Sequence, residues 1–165
     1  MTETTLTPSR LWKRMSSDQR QRAALAFWAD PEATDDQVQA AFLIAQQKKF
    51  RPKTVIGLDL DRKAKHLATV AGVTDQIAAR ALVTYHLAEQ RPMMGAFLDL
   101  LGIAHEDGLI NDENVVKPDA EKLKAAAGEL VTKFPAEDAL LYFATLVSQD
   151  PETWEPLVDV VEPSA

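Results

Sequence analysis

The chain has 165 residues, of which 46% are hydrophobic and 26% charged, and this balance excludes an intrinsically disordered protein. It has 0 cysteines, which excludes disulfides, thiolate metal sites and a cysteine nucleophile. The net charge of −7 disfavours generic nucleic-acid binding, because affinity for the phosphate backbone comes from basic side chains.

Hydropathy gives no indication of a membrane protein. No apolar run approaches the ~18 residues that a spanning helix needs, and the N-terminal segment MTETTLTPSR lacks the apolar core of a secretory signal. With the lack of cysteine, this predicts a cytoplasmic protein without membrane association. The length predicts a single domain over residues 1–165. Within it, residues 1–7 and 160–165 are expected to fray.

Capping patterns predict the first helices. Pro8 suits the first position of a short opening helix. Ser16 with Gln19, and then Thr34 with Gln37, form capping boxes ahead of apolar residues at helical spacing. These boxes predict helices over about 17–29 and 35–49. The apolar face expected for the second of them consists of Val38, Ala41, Phe42 and Ala45.

The first half continues with a break and a third long helix. Residues 50–57, FRPKTVIG, are expected to be the least regular part of the first half, because Pro52 pushes Arg51 out of helical geometry. The helical period returns over 60–71, and Gly72 is a natural stop.

The stretch 75–91, DQIAARALVTYHLAEQR, is predicted to be the central helix. Thr74 is suited to cap it, the acid Asp75 lies in its first turn, and Pro92 forbids smooth continuation. Apolar residues fall on more than one side of this helix, so it must be covered from more than one side. The fold class is therefore all-α, a single-domain bundle of about seven or eight helices packed around the central helix at about 75–91.

The second half is predicted to contain three more helices and a long connection. Pro92 begins a helix that ends at Gly102, and an irregular connection without a β-hairpin pattern follows over about 102–118. Pro135 separates the last two long helices, and a short final turn begins at Asp150.

Basic residues concentrate between Lys48 and His66, where seven Lys and Arg residues stand against Asp59 and Asp61. Residues 1–66 carry 12 Lys and Arg against 8 Asp and Glu, whereas residues 67–165 carry 6 against 17. The basic stretch can receive an acidic partner or a phosphate, pair with the acidic half of the chain, or simply be solvated.

Helix direction suggests what lies beside this stretch. If consecutive helices alternate, the start of the 60–71 helix and the end of the central helix share one end of the bundle. This predicts a partner-binding surface formed by Arg51, Lys53, Arg62, Tyr85, His86 and Arg91. The expected function is a non-enzymatic interaction or regulatory protein that presents a charged face to a macromolecular partner, with a protein as the expected partner.

The segment 67–82, LATVAGVTDQIAARAL, supports an alternative. Its Ala-Gly-Val turn at 71–73 and the helix opened by Thr74 resemble the helix-turn-helix of bacterial repressors. The resemblance implies a DNA-binding regulator whose second helix enters the major groove. The segment departs from that pattern because Ala78 and Ala81 stand where larger residues are usual. The side chains exposed to DNA would be Asp75, Gln76, Ala79 and Arg80.

A further alternative is a small all-helical enzyme or ligand-binding protein. It would use the region of Tyr85, His86 and Arg91, with Asp99 and His105 nearby in sequence. No nucleophile elbow, phosphate loop or histidine metal motif accompanies these residues, so no catalytic residue, metal or cofactor is assigned. The acidic run 105–107 with Asp112 and Glu113 lacks EF-hand spacing and is expected to be solvated.

Overall fold

The computed structural model describes residues 6–110 and 117–161, and 77% of these residues are helical. This confirms the all-α, multi-helix fold class. The chain divides into two compact units, an N-terminal unit over Thr7–Ala88 and a C-terminal unit that comprises Leu6 and residues 89–161 of the described part. The expectation of a single domain, and of a bundle around one central helix, stays a prediction.

Six helices form the N-terminal unit. They are α1 (Pro8–Arg14), α2 (Ser17–Ala29), α3 (Thr34–Lys48), α4 (Pro52–Ile56), α5 (Leu60–Thr69) and α6 (Asp75–Glu89), the last of which ends one residue beyond the unit. The most extensive packing is between α2 and α5. Ala23, Ala24 and Ala64 are fully buried, and side chains this small let two helix backbones approach closely. Phe27 and Leu67 fill the core beside them.

Local caps account for several helix starts. The box at α2 is confirmed, because the Ser16 hydroxyl accepts from the Gln19 amide at 3.1 Å and the Gln19 side chain accepts from the Ser16 amide at 3.2 Å. Asp59 caps α5 by accepting from the Arg62 amide at 2.9 Å. The predicted cap of α6 is also present, since the Thr74 hydroxyl accepts from the Ile77 amide at 3.3 Å.

The capping box predicted at Thr34 is wrong. Thr34 is the first residue of α3, Ala33 stands at the cap, and no side chain caps this end. The Gln37 side chain instead donates to the carbonyls of Phe27 at 2.9 Å and Asp30 at 2.8 Å. Gln37 therefore satisfies the C-terminal end of α2, where carbonyls have no partner within the helix.

The segment 50–57 contains the short helix α4. Arg51 is extended ahead of Pro52, which begins α4 at a first-turn position where its missing amide hydrogen is not needed. The central helix ends at Glu89 rather than at residue 91, and Arg91 is the first residue of the next helix. Helix α6 has buried residues on adjacent sides, as expected for a helix that other parts of the protein cover from more than one side. These buried residues are Ile77, Ala78, Ala81, Leu82, Thr84, Tyr85 and His86.

The C-terminal unit contains α7 (Arg91–Leu101), β1 (His105–Glu106), β2 (Leu109–Ile110), α8 (Ala120–Lys133), α9 (Ala136–Gln149), α10 (Pro151–Trp154), a 3-10 turn (Glu155–Leu157) and α11 (Val158–Val161). An aromatic cluster forms its core. The ring of Phe97 lies 5.0 Å from that of Phe143 and 5.7 Å from that of Tyr142, between ring centroids, and 6.3 Å from that of Trp154. Burial raises the pKa of Tyr142 far above its ordinary value.

The connection predicted to be irregular over 102–118 contains a short antiparallel hairpin, with His105 opposite Ile110 and Glu106 opposite Leu109. Asp107 and Gly108 form its turn with φ of 50° and 86°, the left-handed values that an Asp-Gly hairpin turn requires. Residues 111–116 of this connection lie outside the described part of the chain. So do 1–5 and 162–165 of the ends expected to fray, whereas Leu6 is buried and residues 160–161 belong to α11.

Candidate interaction surface

The predicted basic stretch lies where α3, α4 and α5 meet in the N-terminal unit. Helix α3 packs against α4 and also contacts α5. The ring of Phe50, in the connection from α3 to α4, lies edge-on to that of His66 on α5, with centroids 5.8 Å apart. Lys63 on α5 donates its ammonium to the Ile56 carbonyl of α4 at 3.4 Å. These contacts bring the three helices together at one corner of the unit.

Large apolar side chains are exposed on α3, α4 and α5 and in the connection between α3 and α4. Phe42 is 57% exposed, Ile56 48%, Phe50 41% and Leu60 39%. Val38, one turn before Phe42 on the same face of α3, is 36% exposed. Among the described residues, only Leu109 outside the 38–60 stretch is a large hydrophobic residue exposed to this degree. Single exposed apolar residues are ordinary on protein surfaces, but their concentration in one region is typical of an interaction site.

The exposure of Val38 and Phe42 corrects the apolar face predicted for α3. The buried residues of this helix are Ala40, Ala41, Ile44 and Ala45. Four small or aliphatic side chains pack close to the neighbouring helices, and the larger Phe42 lies outside that stripe. Because α3 carries apolar residues on two sides, the spacing of these residues does not show which side is buried.

Cations alternate along the chain with three of the exposed apolar side chains, Phe50, Ile56 and Leu60. Arg51, Lys53 and Arg62 are exposed. We use the name basic apolar surface for Phe42, Phe50, Ile56 and Leu60 together with Lys48, Lys49, Arg51, Lys53, Arg62 and Lys65. Arg62 approaches Asp59 to 3.6 Å, but both side chains are well exposed, so this ion pair is weak and leaves the guanidinium accessible.

Lys63 is held more firmly than the other cations. Its ammonium lies 5.2 Å from the centroid of the Trp28 ring and donates to the carbonyl of Ile56. We therefore assign Lys63 to the support of the corner and not to the surface that a partner would contact.

The positive field of the surface acts on His66. Partial burial lowers the pKa of His66 below its ordinary value, and the ammonium groups of Lys48 and Lys65 lower it further. The imidazole is therefore neutral at pH 7, and the charge of the surface there comes from Lys and Arg alone.

Tyr85 and His86 were predicted to join this surface, but both are buried. Tyr85 is 0% exposed, with the Arg22 guanidinium 5.7 Å from its ring centroid. His86 is 4% exposed, and its Nδ1 donates to the Leu82 carbonyl at 2.7 Å. Their side chains pack in the core and offer a partner almost no area.

Arg91 belongs to the C-terminal unit. It is the first residue of α7, and its guanidinium donates to the carbonyl of Asp107 at 3.4 Å. Arg51, Lys53 and Arg62 lie in the N-terminal unit, and their predicted proximity to one another and to Arg91 stays a prediction.

Asp99 and His105, which were considered for a possible active site, hold the hairpin instead. His105 Nε2 donates to Asp99 at 2.7 Å, and His105 Nδ1 accepts from the Gly108 amide at 3.0 Å. Both ring nitrogens are used by these two contacts, which weighs against His105 as a general base. Gly95 and Gly108 allow the close approach, because a Cβ at Gly108 would lie 2.7 Å from that of Met94.

The helix that would enter DNA makes contacts within the N-terminal unit. Asp36 on α3 accepts from the Gln76 amide group at 2.8 Å and from Arg80 Nε at 3.1 Å. Asp75 accepts from the Ser9 amide at 3.0 Å, and hydrogen bonds from Ser9 lower the pKa of Asp75. Three of the four side chains expected to face DNA therefore have partners in the protein.

Over residues 6–110 and 117–161, no group of three or more His, Asp or Glu side chains is arranged to hold a metal ion. Asp112 and Glu113 of the acidic run considered for a cation lie outside these ranges.

No helix in the described part of the chain is both long and apolar enough to cross a membrane.

Comparisons with protein-family models, with curated proteins and with solved structures found no match to this chain.

Proposed function

We propose that this protein is a non-enzymatic interaction protein that binds an acidic segment of a protein partner through the basic apolar surface. The observation that carries the proposal is the concentration of large exposed apolar side chains, with exposed Lys and Arg residues, within residues 42–65 of α3, α4 and α5. We also propose a cytoplasmic location, which the lack of cysteine favours.

The apolar side chains supply the main free energy of such a complex. Full burial of a side chain such as Phe or Ile is favourable by roughly 1.5–3 kcal/mol. Phe42 and Ile56 have the largest exposed fractions among these side chains, so they are the proposed anchors. A partner that buries them must itself present apolar side chains.

The cations determine which partner is accepted. Seven Lys and Arg residues stand against two Asp residues between Lys48 and His66, so an approaching acidic segment is attracted and a basic one is repelled. Charges of this kind raise the association rate and the specificity more than the affinity, and salt screens them. The partner segment is therefore both acidic and apolar.

Neither alternative function has comparable support. DNA binding by α6 would require Gln76 and Arg80 to leave Asp36. A catalytic role for His86 would require access to a side chain that is 4% exposed.

Site-specific photo-crosslinking in cells tests the proposal. A benzoylphenylalanine placed at Phe42 is expected to crosslink a protein with an acidic segment, and the same group placed at exposed Lys122 on α8 is not. Adding Arg51→Glu with Lys53→Glu to the Phe42 probe should reduce the adduct strongly, because both changes reverse charge beside it.

Three outcomes contradict the proposal. They are an adduct unchanged by the charge reversals, an adduct equally abundant from position 122, and crosslinks from position 42 to lipid or nucleic acid in place of protein.

A further inference from the structure

A cleft at the far end of α5 from Arg62 has no part in the basic apolar surface. It is lined by Trp12 and Lys13 of α1, Arg20 of α2, and residues 68–73 at the end of α5 and in the turn to α6. Its volume is about 490 Å³. Clefts of roughly 300–1,000 Å³ are the usual size for small-molecule sites.

The walls of the cleft are fixed by hydrogen bonds and packing. The Gln47 side chain donates to the Ala71 carbonyl at 2.6 Å and accepts from the Ala71 amide at 3.3 Å, which holds the turn from the α3 side. Gly72 adopts a φ of 78° and adds no side chain to the space. Trp12 is buried, so its indole is part of the wall and not a mobile cover. A ligand would meet a preformed site.

The charge of the lining is positive. Lys13 and Arg20 are basic, and the other seven lining residues are uncharged. The C-terminal end of the α5 dipole accounts for a cation at this place through its partial negative charge. This dipole does not explain why the Nε–H group of Arg20 is buried.

One donor of Arg20 has no acceptor among the described residues. Its Nε is buried, and no acceptor in the described part of the protein lies within hydrogen-bonding distance of it. A buried guanidinium N–H without an acceptor costs free energy, and an oxyanion is the acceptor that suits the guanidinium fork best. Arg20 lines the cleft, so a ligand bound there is placed to supply that oxygen.

We propose that this cleft binds a small organic oxyanion, a carboxylate or a phosphate monoester attached to an apolar group. The anionic group is bound by Arg20 and Lys13, and the apolar group rests against the Trp12 indole. The inference does not depend on the proposed function, because the cleft and the basic apolar surface have no residue in common.

Nuclear magnetic resonance of the full chain, labelled with nitrogen-15, tests this site. Benzoate and phenyl phosphate are titrated separately, with benzylamine as a cation that carries the same ring. We expect one or both anions to shift the Trp12 indole signal and the Gly72 amide signal, whereas benzylamine leaves them in place. The stronger of the two anions identifies the oxyanion class.

Substitutions locate the anion within the cleft. Arg20→Gln should weaken binding about tenfold, since it removes a charge-assisted hydrogen bond. Lys13→Gln, at an exposed position, should weaken it by a smaller factor and keeps the test valid if the Arg20 variant does not fold. Arg10→Gln is the matched control, because Arg10 is an exposed cation of the same helix that does not line the cleft.

The proposal is overturned if neither anion shifts the two signals. It is equally overturned if benzylamine shifts them as strongly, or if folded Arg20→Gln and Lys13→Gln variants bind as tightly as the Arg10→Gln control.

Discussion

At the scale of single residues, His66 reports the electrostatics of the basic apolar surface. Its imidazole packs edge-on to Phe50 and lies near Lys48 and Lys65, and partial burial and these two ammonium groups all lower its pKa. A histidine whose pKa is lower in the folded state adds stability above its unfolded pKa of about 6.5, and this contribution is lost as the pH falls.

We expect the titration of His66, followed by nuclear magnetic resonance, to have its midpoint below that of a histidine in an unfolded peptide. Lys48→Gln should move the midpoint upward, because it removes one of the two positive charges. Lys122→Gln, in the C-terminal unit, serves as the control and should leave it unchanged. A midpoint at or above the peptide value would show that neither burial nor Lys48 acts on this ring as described.

Two glycines of the C-terminal unit make a matched pair for a stability test. A Cβ at Gly108 would lie 2.7 Å from the Met94 Cβ and 3.1 Å from the Arg91 carbonyl oxygen, at a φ of 86°. A Cβ at Gly128, within α8, would meet nothing within 4 Å. We predict that Gly108→Ala lowers the free energy of unfolding by about 1–3 kcal/mol.

For Gly128→Ala we predict a gain of about 0.5–1 kcal/mol, since alanine loses less backbone entropy in a helix. Chemical denaturation of both variants measures the two changes. Equal effects of the same sign would contradict the close packing of the hairpin on α7.

At the scale of elements, helix ends that are capped by neighbouring residues could be predicted from the sequence. Helix ends that depend on contacts with another helix could not. The box of Ser16 and Gln19 uses only neighbouring residues, so sequence spacing is enough to find it. Gln37 bonds to carbonyls of another helix, and no local spacing indicates that choice. The Asp107-Gly108 turn has a recognisable hairpin pattern, but its strands are only two residues each and show no alternation of apolar and polar residues that would predict them.

Helix α6 gives the prediction that belongs to this scale. Leu82 is 1% exposed, so Leu82→Ala should leave a cavity and lower the free energy of unfolding by about 2–5 kcal/mol. Lys122→Ala, at an exposed position of α8, should change it by no more than about 0.5 kcal/mol. The two variants are compared by urea denaturation. If their midpoints are the same, Leu82 is not part of the core.

At the scale of the whole molecule, the uneven distribution of charge along the chain made one part of the candidate site predictable and left another part unpredictable. The basic part of the candidate site could be predicted, because Arg51, Lys53 and Arg62 lie in a run of cations that any helical arrangement leaves exposed. Its apolar part could not, since which face of α3 is buried depends on the helices that cover it. The burial of Tyr85 likewise depends on which helices cover α6, and the sequence does not specify them.

The central claim is that apolar anchors and cations act together at the basic apolar surface. Its most direct test is a titration of the protein captured at Phe42 against matched folded variants at several salt concentrations. Phe42→Ser with Ile56→Ser should weaken binding by at least about tenfold, since two anchors lose their burial. Arg51→Glu with Lys53→Glu should weaken it most at low salt.

Lys117→Glu with Lys122→Glu, the control that changes charge equally, should leave the affinity within about twofold. Equal affinities for all three variants would contradict the account.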